Sequence, residues 1–249
     1  MSTFGKIGAR PLLLKNTGEY AEEQMYKELF KATIERTGIG TGHMDLVGID
    51  IQSIGRQAYS WHRNIGEINL PNVLSVGQQA FDSAIIYGNI NLPNCTTSGY
   101  RMFTEAYMYG AEVHMPSLVT SSGQEFYQAL QWSRVNTSTR VSIYLDSLSS
   151  IGNSMFYNAT GMARLYAPTV TSISGASAFL LVGNSASAGN VELVVGSKDM
   201  DTGMTMAGLV GSSGFPFGAA ASSRVKWTCK DGTVTYDTST SSWVQTPYA

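Results

Sequence analysis

The sequence predicts a β-rich solenoid: short coils stacked so that one strand of each lines up in a parallel sheet, with a helix ahead of the stack and a hairpin behind it. Three observations carry this. A glycine is followed four residues later by an aromatic ring at five places along the chain. After each ring comes a short alternating segment that in several copies ends in proline, and the first three of those prolines are 22 and 23 residues apart. The composition agrees: 43% of the 249 residues are apolar but only 14% are charged, and Gly, Ser, Thr and Asn are abundant, a balance that suits strands and turns better than long helices.

Residues 1–45 come first and read as a helical cap or an attachment segment. Within residues 16–37, Asn16 followed by Glu19 forms a capping box, and Tyr26, Leu29, Phe30 and Thr33 fall at helical spacing. Glu23 and Lys27 form an i,i+4 pair on the opposite, solvated face. Gly38 ends the helix. The glycine-rich run Gly38-Ile39-Gly40-Thr41-Gly42 is a linker, because a dinucleotide fingerprint needs a strand before it and a helix after it.

Residues 46–196 hold about six coils. The glycine and ring pairs are Gly55 and Tyr59, Gly77 and Phe81, Gly99 and Phe103, Gly152 and Phe156, and Gly175 and Phe179. In an irregular fourth copy Phe126 takes the ring position, with Ser122 in place of glycine and Gly123 beside it. That copy also carries a polar insertion over residues 133–140, expected to protrude as a loop, and has Asp146 where proline stands elsewhere. The spacing falls in the leucine-rich range of about 20 to 29 residues.

Each recurring residue has a physical task. Glycine supplies a positive φ or a close approach at the turn into the coil. The ring fills the space between coils, which no single coil could bury. Proline ends the strand because it has no N–H to donate. In the strands, alternation sends Ile68/Leu70, Ile90/Leu92, Val113/Met115, Ile143/Leu145, Leu165/Ala167 and Val191/Leu193 inward. The outward residues are then Glu67/Asn69, Asn89/Asn91, Glu112/His114, Ser142/Tyr144, Arg164/Tyr166 and Asn190/Glu192. Ten of these, Glu67, Asn69, Asn89, Asn91, Glu112, His114, Tyr144, Arg164, Tyr166 and Glu192, form the candidate binding surface, since extended sheet faces are what solenoids offer to partners and Tyr and Asn suit adaptable contacts.

The run Leu74-Ser75-Val76-Gly77-Gln78-Gln79-Ala80-Phe81 through Leu92-Pro93 resembles the BspA-type leucine-rich repeat, and Cys229-Lys230-Asp231-Gly232-Thr233 is similar to the ending typical of that class. The resemblance covers residues 46–196 and this terminus. It implies a leucine-rich-repeat solenoid of the α/β repeat class with right-handed coils. It further implies a role in adhesion or protein contact on bacterial surfaces, in protozoa or on phage particles, and no catalytic residues.

Residues 197–249 close the chain. The stretch 200–223 is rich in Gly, Ala, Ser and Met around Phe215-Pro216-Phe217, too irregular for a coil and apolar enough to favour contact with a neighbouring subunit. Asp231-Gly232 fits a tight turn joining residues 225–229 to 233–236.

Chemistry is scarce. There is no P-loop, nucleophile elbow or metal motif, and His43, His62 and His114 lie far apart without a triad partner. Residues 198–203 begin like a calcium loop but lack its later acid. Cys95 and Cys229 form no metal or disulfide pattern and are expected to be buried small hydrophobes. The triplets at Asn94, Asn136 and Asn158 matter only in a eukaryotic secretory pathway.

The net charge of −2, without Lys/Arg runs, argues against nucleic acid. No apolar span of 18 residues and no leader at the N-terminus are seen, so no membrane association is expected. The expected protein is non-enzymatic and needs no cofactor. It binds a protein or surface glycan and other subunits of a larger assembly, and a homo-oligomer is compatible with this. Low charge and an apolar irregular tail fit a bacteriophage virion component, a decoration or fibre protein; the alternative is a bacterial cell-surface or extracellular adhesin.

Overall fold

The computed structural model describes residues 43–109, 112–129, 140–173, 177–179, 182, 190–196, 199 and 224–249. All of these belong to a unit spanning residues 39–249, distinct from residues 1–38. The expected helix of residues 16–37, the linker glycines, the insertion up to residue 139 and the irregular stretch 200–223 lie outside the described residues.

The described residues contain strands and turns and no α-helix. In chain order the strands are β1 (Met44–Val47), β2 (Ser53–Ile54), β3 (Ile65–Asn69), β4 (Ser75–Val76), β5 (Ile85–Ile86), β6 (Ile90–Asn91), β7 (Thr97–Ser98), β8 (Tyr107–Met108) and β9 (Glu112–His114). They continue as β10 (Val141–Tyr144), β11 (Ser150–Ile151), β12 (Met162–Ala167), β13 (Ser172–Ile173), β14 (Val191–Val195), β15 (Val225–Thr228), β16 (Gly232–Asp237) and β17 (Ser242–Pro247).

The main sheet runs β17-β16-β15-β14-β12-β10-β9-β6-β3-β5-β8, with β1 also on β3. Its pairs are parallel from β1 to β15 and antiparallel from there to β17. The predicted hairpin around Asp231-Gly232 is therefore present, and β17 adds a third strand to it. The expectation of one sheet needs correction. Each coil is extended a second time just before its glycine, giving a second ladder, β2-β4-β7, carried on by a Thr97–Thr120 bridge, and the pair β11-β13. These strands are two residues long, too short to leave a period in the sequence.

Between the two ladders each coil turns through the ring-bearing segment. In the first coil Ala58 donates to Gly55 O, Ser60 to Gln57 O and His62 to Tyr59 O, three successive i→i+3 turns. Two of these turns place a positive φ at their third residue, as a type II turn does. That residue stands two positions before the ring and two after it in five coils: Gln57 and Trp61, Gln79 and Ser83, Arg101 and Glu105, Gln124 and Gln128, Ser154 and Asn158. Left-handed backbone costs a non-glycine residue roughly 1–2 kcal/mol. The compensation is bonding to the next coil, as where Gln79, Phe81 and Ser83 donate to the carbonyls of Tyr100, Met102 and Thr104 at 3.1, 2.9 and 2.8 Å.

The positive φ thus falls two residues after the repeat glycine, and Gly55, Gly77, Gly99 and Gly152 themselves do not have it. Their role is the close approach. A Cβ on Gly77 would lie 2.7 Å from Arg56 N and 2.8 Å from Gly55 C, and on Gly99 it would strike the backbone of Gly77 and Gln78. Gly55, in the first described coil, would meet nothing within 4 Å. In the irregular copy Gly123 takes φ +88. There Glu125 stands where other coils have Ala80 or Met102, and its buried carboxylate accepts from Ser98 Oγ (2.9 Å), Ser121 Oγ (2.8 Å), Gly123 N (3.0 Å) and Ser122 N.

The interior is organised by a column of rings. Tyr59, Phe81, Phe103, Phe126, Phe156 and Phe179 are all buried and stack with centroid separations of 5.1, 5.1, 5.4, 5.5 and 5.4 Å, and Trp227 of β15 closes the column edge-on at 6.2 Å. Such pairs contribute about 0.5–1.5 kcal/mol each beyond their burial. The residues two past the strand-ending position, Val73, Cys95, Leu118, Leu148 and Val170, form another buried column. Cys95 is thus a core residue, its thiol pushed up to about 11 by burial, and Cys229 is also buried and free. Between these positions lies a polar ladder: Asn94 Nδ2, Ser117 Oγ and Thr169 Oγ1 donate to the carbonyls of Pro71, Pro93 and Asp146 in the preceding coil at 2.8, 2.6 and 2.7 Å.

The inward strand column is as read from the sequence except at its end. Leu165 and Ala167 pair with Leu193 and Val195, so Val191/Leu193 is two residues out of register. Four of the five β14 residues are apolar and all four are buried, so alternation alone could not fix the phase.

Candidate functional site

The front of the main sheet is set by register. Successive coils align Glu67, Asn89, Glu112, Ser142, Arg164, Glu192 and Lys226 in one outward column, and Asn69, Asn91, His114, Tyr144, Tyr166, Val194 and Thr228 in the next. All ten expected surface residues lie on this face. Glu192 shares the column of Arg164, not that of Tyr166, so Asn190 drops out and Val194 follows Tyr166. The shift has the same cause as that of Leu193.

The columns are bonded internally. Asn91 Nδ2 donates to Asn69 Oδ1 at 3.1 Å, and the Glu112 amide to Asn89 Oδ1 at 3.1 Å. His114 Nε2 lies 3.0 Å from Glu112 Oε2. The His114 ring stacks on Tyr144 at 4.4 Å and 7°, and Tyr144 meets Tyr166 at 6.2 Å and a wider 48°. Arg164 covers Tyr166 at 5.6 Å and reaches Glu192 Oε2 at 3.3 Å. Glu192 also accepts from Thr228 Oγ1 at 2.7 Å and pairs with Lys226 at 3.6 Å. Exposed pairs of this kind contribute about 0–1 kcal/mol, so the network orients side chains more than it holds the fold.

A second ring stack escaped the sequence reading. His43 stacks on Tyr87 at 3.9 Å, and Tyr87 on Tyr109 at 5.0 Å. His43 is steadied by Asn64 Oδ1 at 2.6 Å. Gly66, next to this group, leaves room chiefly for the Asp45 carboxylate, which accepts from the Glu67 amide at 2.9 Å: a Cβ on Gly66 would lie 1.9 Å from Asp45 Oδ1 and 3.0 Å from His43 Cβ. The signal was present, since Tyr87 and Tyr109 each follow a core phenylalanine by the same interval. His62, by contrast, is half-buried beside Tyr59 with its pKa pushed down by burial.

Among the described residues no cluster of His, Cys, Asp or Glu could hold a metal ion, and no helix is long and apolar enough to cross a membrane. The calcium-like run of residues 198–203 lies outside the described residues apart from Asp199. The face has the means to bind by hydrogen bonds, ion pairs and ring edges.

The model of the BspA type leucine rich repeat region matches six copies over residues 52–182. No curated protein and no solved structure matches the chain. The matched span takes in the six stacked rings from Tyr59 to Phe179, the second ladder, the main sheet from β3 to β12 and most of the outward face, and with six copies covering more than half of its length the chain belongs to the BspA-type leucine-rich repeat family.

Proposed function

We propose that the protein is a non-enzymatic interaction module whose outward sheet columns dock a protein partner, and that it works as a bacteriophage virion component, a decoration or fibre protein held in a larger assembly through residues 1–42 or its C-terminal segment. The family suggests a role in protein contact or adhesion. The observation that carries the choice of partner is ring orientation. The rings of His114 and Tyr144 lie nearly parallel and each covers a face of the other, and Arg164 lies over Tyr166. Ring edges and polar tips therefore point outward. A sugar needs a bare aromatic face, whereas the side chains and backbone of a protein suit a row of phenol and imidazole edges with Asn and Arg donors nearby.

A surface glycan is the second reading, favoured by the one place where the stack opens, the 48° angle between Tyr144 and Tyr166. In cellular terms the alternative to a virion component is a bacterial cell-surface adhesin. Mass spectrometry of gradient-purified particles and of cell envelopes from the source culture separates the two. The chain is expected in the particles; recovery only from envelopes, in protease-accessible form, overturns the virion reading.

A further inference from the structure

Away from the front sheet, at the start of the ring-bearing turns, one arginine is built into a pocket of tyrosines. Tyr100 and Arg101 open the turn of the third coil, Gln124 the turn of the fourth, and Tyr127 and Tyr157 follow the core rings of the fourth and fifth. Arg101 Cζ lies 5.2 Å from the ring centre of Tyr100 and 5.6 Å from that of Tyr127. Tyr127 stacks its other side on Tyr157 at 4.8 Å and 10°. The third coil has Thr104 at the position equivalent to Tyr127, which leaves a ring face for the guanidinium. Gln124 Oε1 accepts from both Arg101 Nε and Tyr100 Oη at 2.8 Å. The position of Arg101 is occupied in four other coils by Gln57, Gln79, Gln124 and Ser154, all at positive φ, and in the sixth by Ser177. Among these positions only Arg101 is a cation.

We infer that Arg101, clamped by Tyr100 and Tyr127 and pinned at Nε by Gln124, is a recognition site for a single carboxylate, the acidic side chain or chain terminus of a protein partner. With Nε engaged and the ring contacts fixing the plane, the two Nη groups present a forked edge of set orientation, the geometry that pairs bidentately with a carboxylate. Fixing the plane beforehand removes most of the ordering cost an exposed arginine would meet. Tyr and Arg are also the residues that dominate protein contacts. Selectivity follows from the neighbours. Asp82 and Glu105 lie nearby: burial raises the Asp82 carboxyl, Glu105 raises it further, and Arg101 lowers it. These acids weaken the attraction for any anion, and the cost of stripping water from a dianion such as sulfate, which grows with the square of its charge, is then offset less well than that of a monoanion.

The test uses the full chain and the Arg Nε–Hε signals in ¹⁵N–¹H spectra, with Arg101 assigned by its loss in Arg101→Lys. Acetate and sulfate are titrated separately at constant ionic strength. The expected result is a saturable shift of the Arg101 signal with acetate and only a linear drift with sulfate, and a midpoint for acetate raised about 3-fold in Tyr127→Leu, which removes a cation–π contact. The Arg164 signal, in the same spectra, reports that the fold and the front face are unchanged. No saturable shift with acetate, or an equal response to sulfate, overturns the assignment.

Discussion

The interior ring column from Tyr59 to Phe179 and the exterior one from His114 to Tyr166 both stack one aromatic per coil, at 5.1–5.5 Å inside and 4.4–6.2 Å outside. Inside, the phenylalanine rings are all but fully buried and chemically uniform. Outside, they are half-exposed and varied: imidazole, phenol, phenol, then a guanidinium lid. Uniformity is what packing between identical coils requires, because any change of volume is felt by both neighbours. Variation on the outer column is free of that constraint and is available for recognition. The same stacking geometry therefore serves stability in one place and presentation in the other.

This contrast can be broken or sharpened by substitution. Phe103→Ala opens a cavity between two coils and should cost about 3–5 kcal/mol in urea unfolding, as should Phe81→Ala. Gly99→Ala drives a Cβ into the backbone of the preceding coil and should cost about 2–3 kcal/mol. Gly55→Ala meets no atom and should be neutral or stabilise by up to about 1 kcal/mol, through the loss of freedom in the unfolded chain. Equal losses at Gly55 and Gly99 would show that the glycines serve something other than coil approach. Asn91→Ala, which removes one half-exposed side-chain bond, should lie within about 0.5 kcal/mol of the parent. Last, native Cys95, buried and with its thiol pushed up to about 11, should resist iodoacetamide at pH 8 and react only after unfolding.

Much of the solenoid was legible because its signals are residue-specific. Glycine four residues before a ring and proline after an alternating triplet each answer a steric demand that few residues meet, and Ile68, Ile90, Val113, Ile143 and Leu165 fall where that register puts them. The second ladder was hidden because Ser75–Val76 and its equivalents are too short to alternate. The third hairpin strand, Ser242–Pro247, is largely exposed and carries no inward apolar phase to read. On the front face Tyr144 and Tyr166 could be aligned from the prolines and aspartate that follow their strands. Tyr87 and Tyr109 could be aligned on the core phenylalanines they follow, but their partner His43 precedes the first ring of the series, where the sequence supplies no such anchor. The Arg101 cluster was out of reach because its partners come from three coils, and only the stacking brings them together.

The division of labour between the two columns is tested most directly by urea unfolding of Tyr144→Ala beside Phe103→Ala. Tyr144 is flanked by two ring partners, as Phe103 is, but it is half-exposed. Its loss is expected to cost less than about 1.5 kcal/mol, the scale of its ring contacts alone, against about 3–5 kcal/mol for Phe103. If the two variants lose stability equally, the outer rings are part of the fold's support, and the claim that they are held for a partner is contradicted.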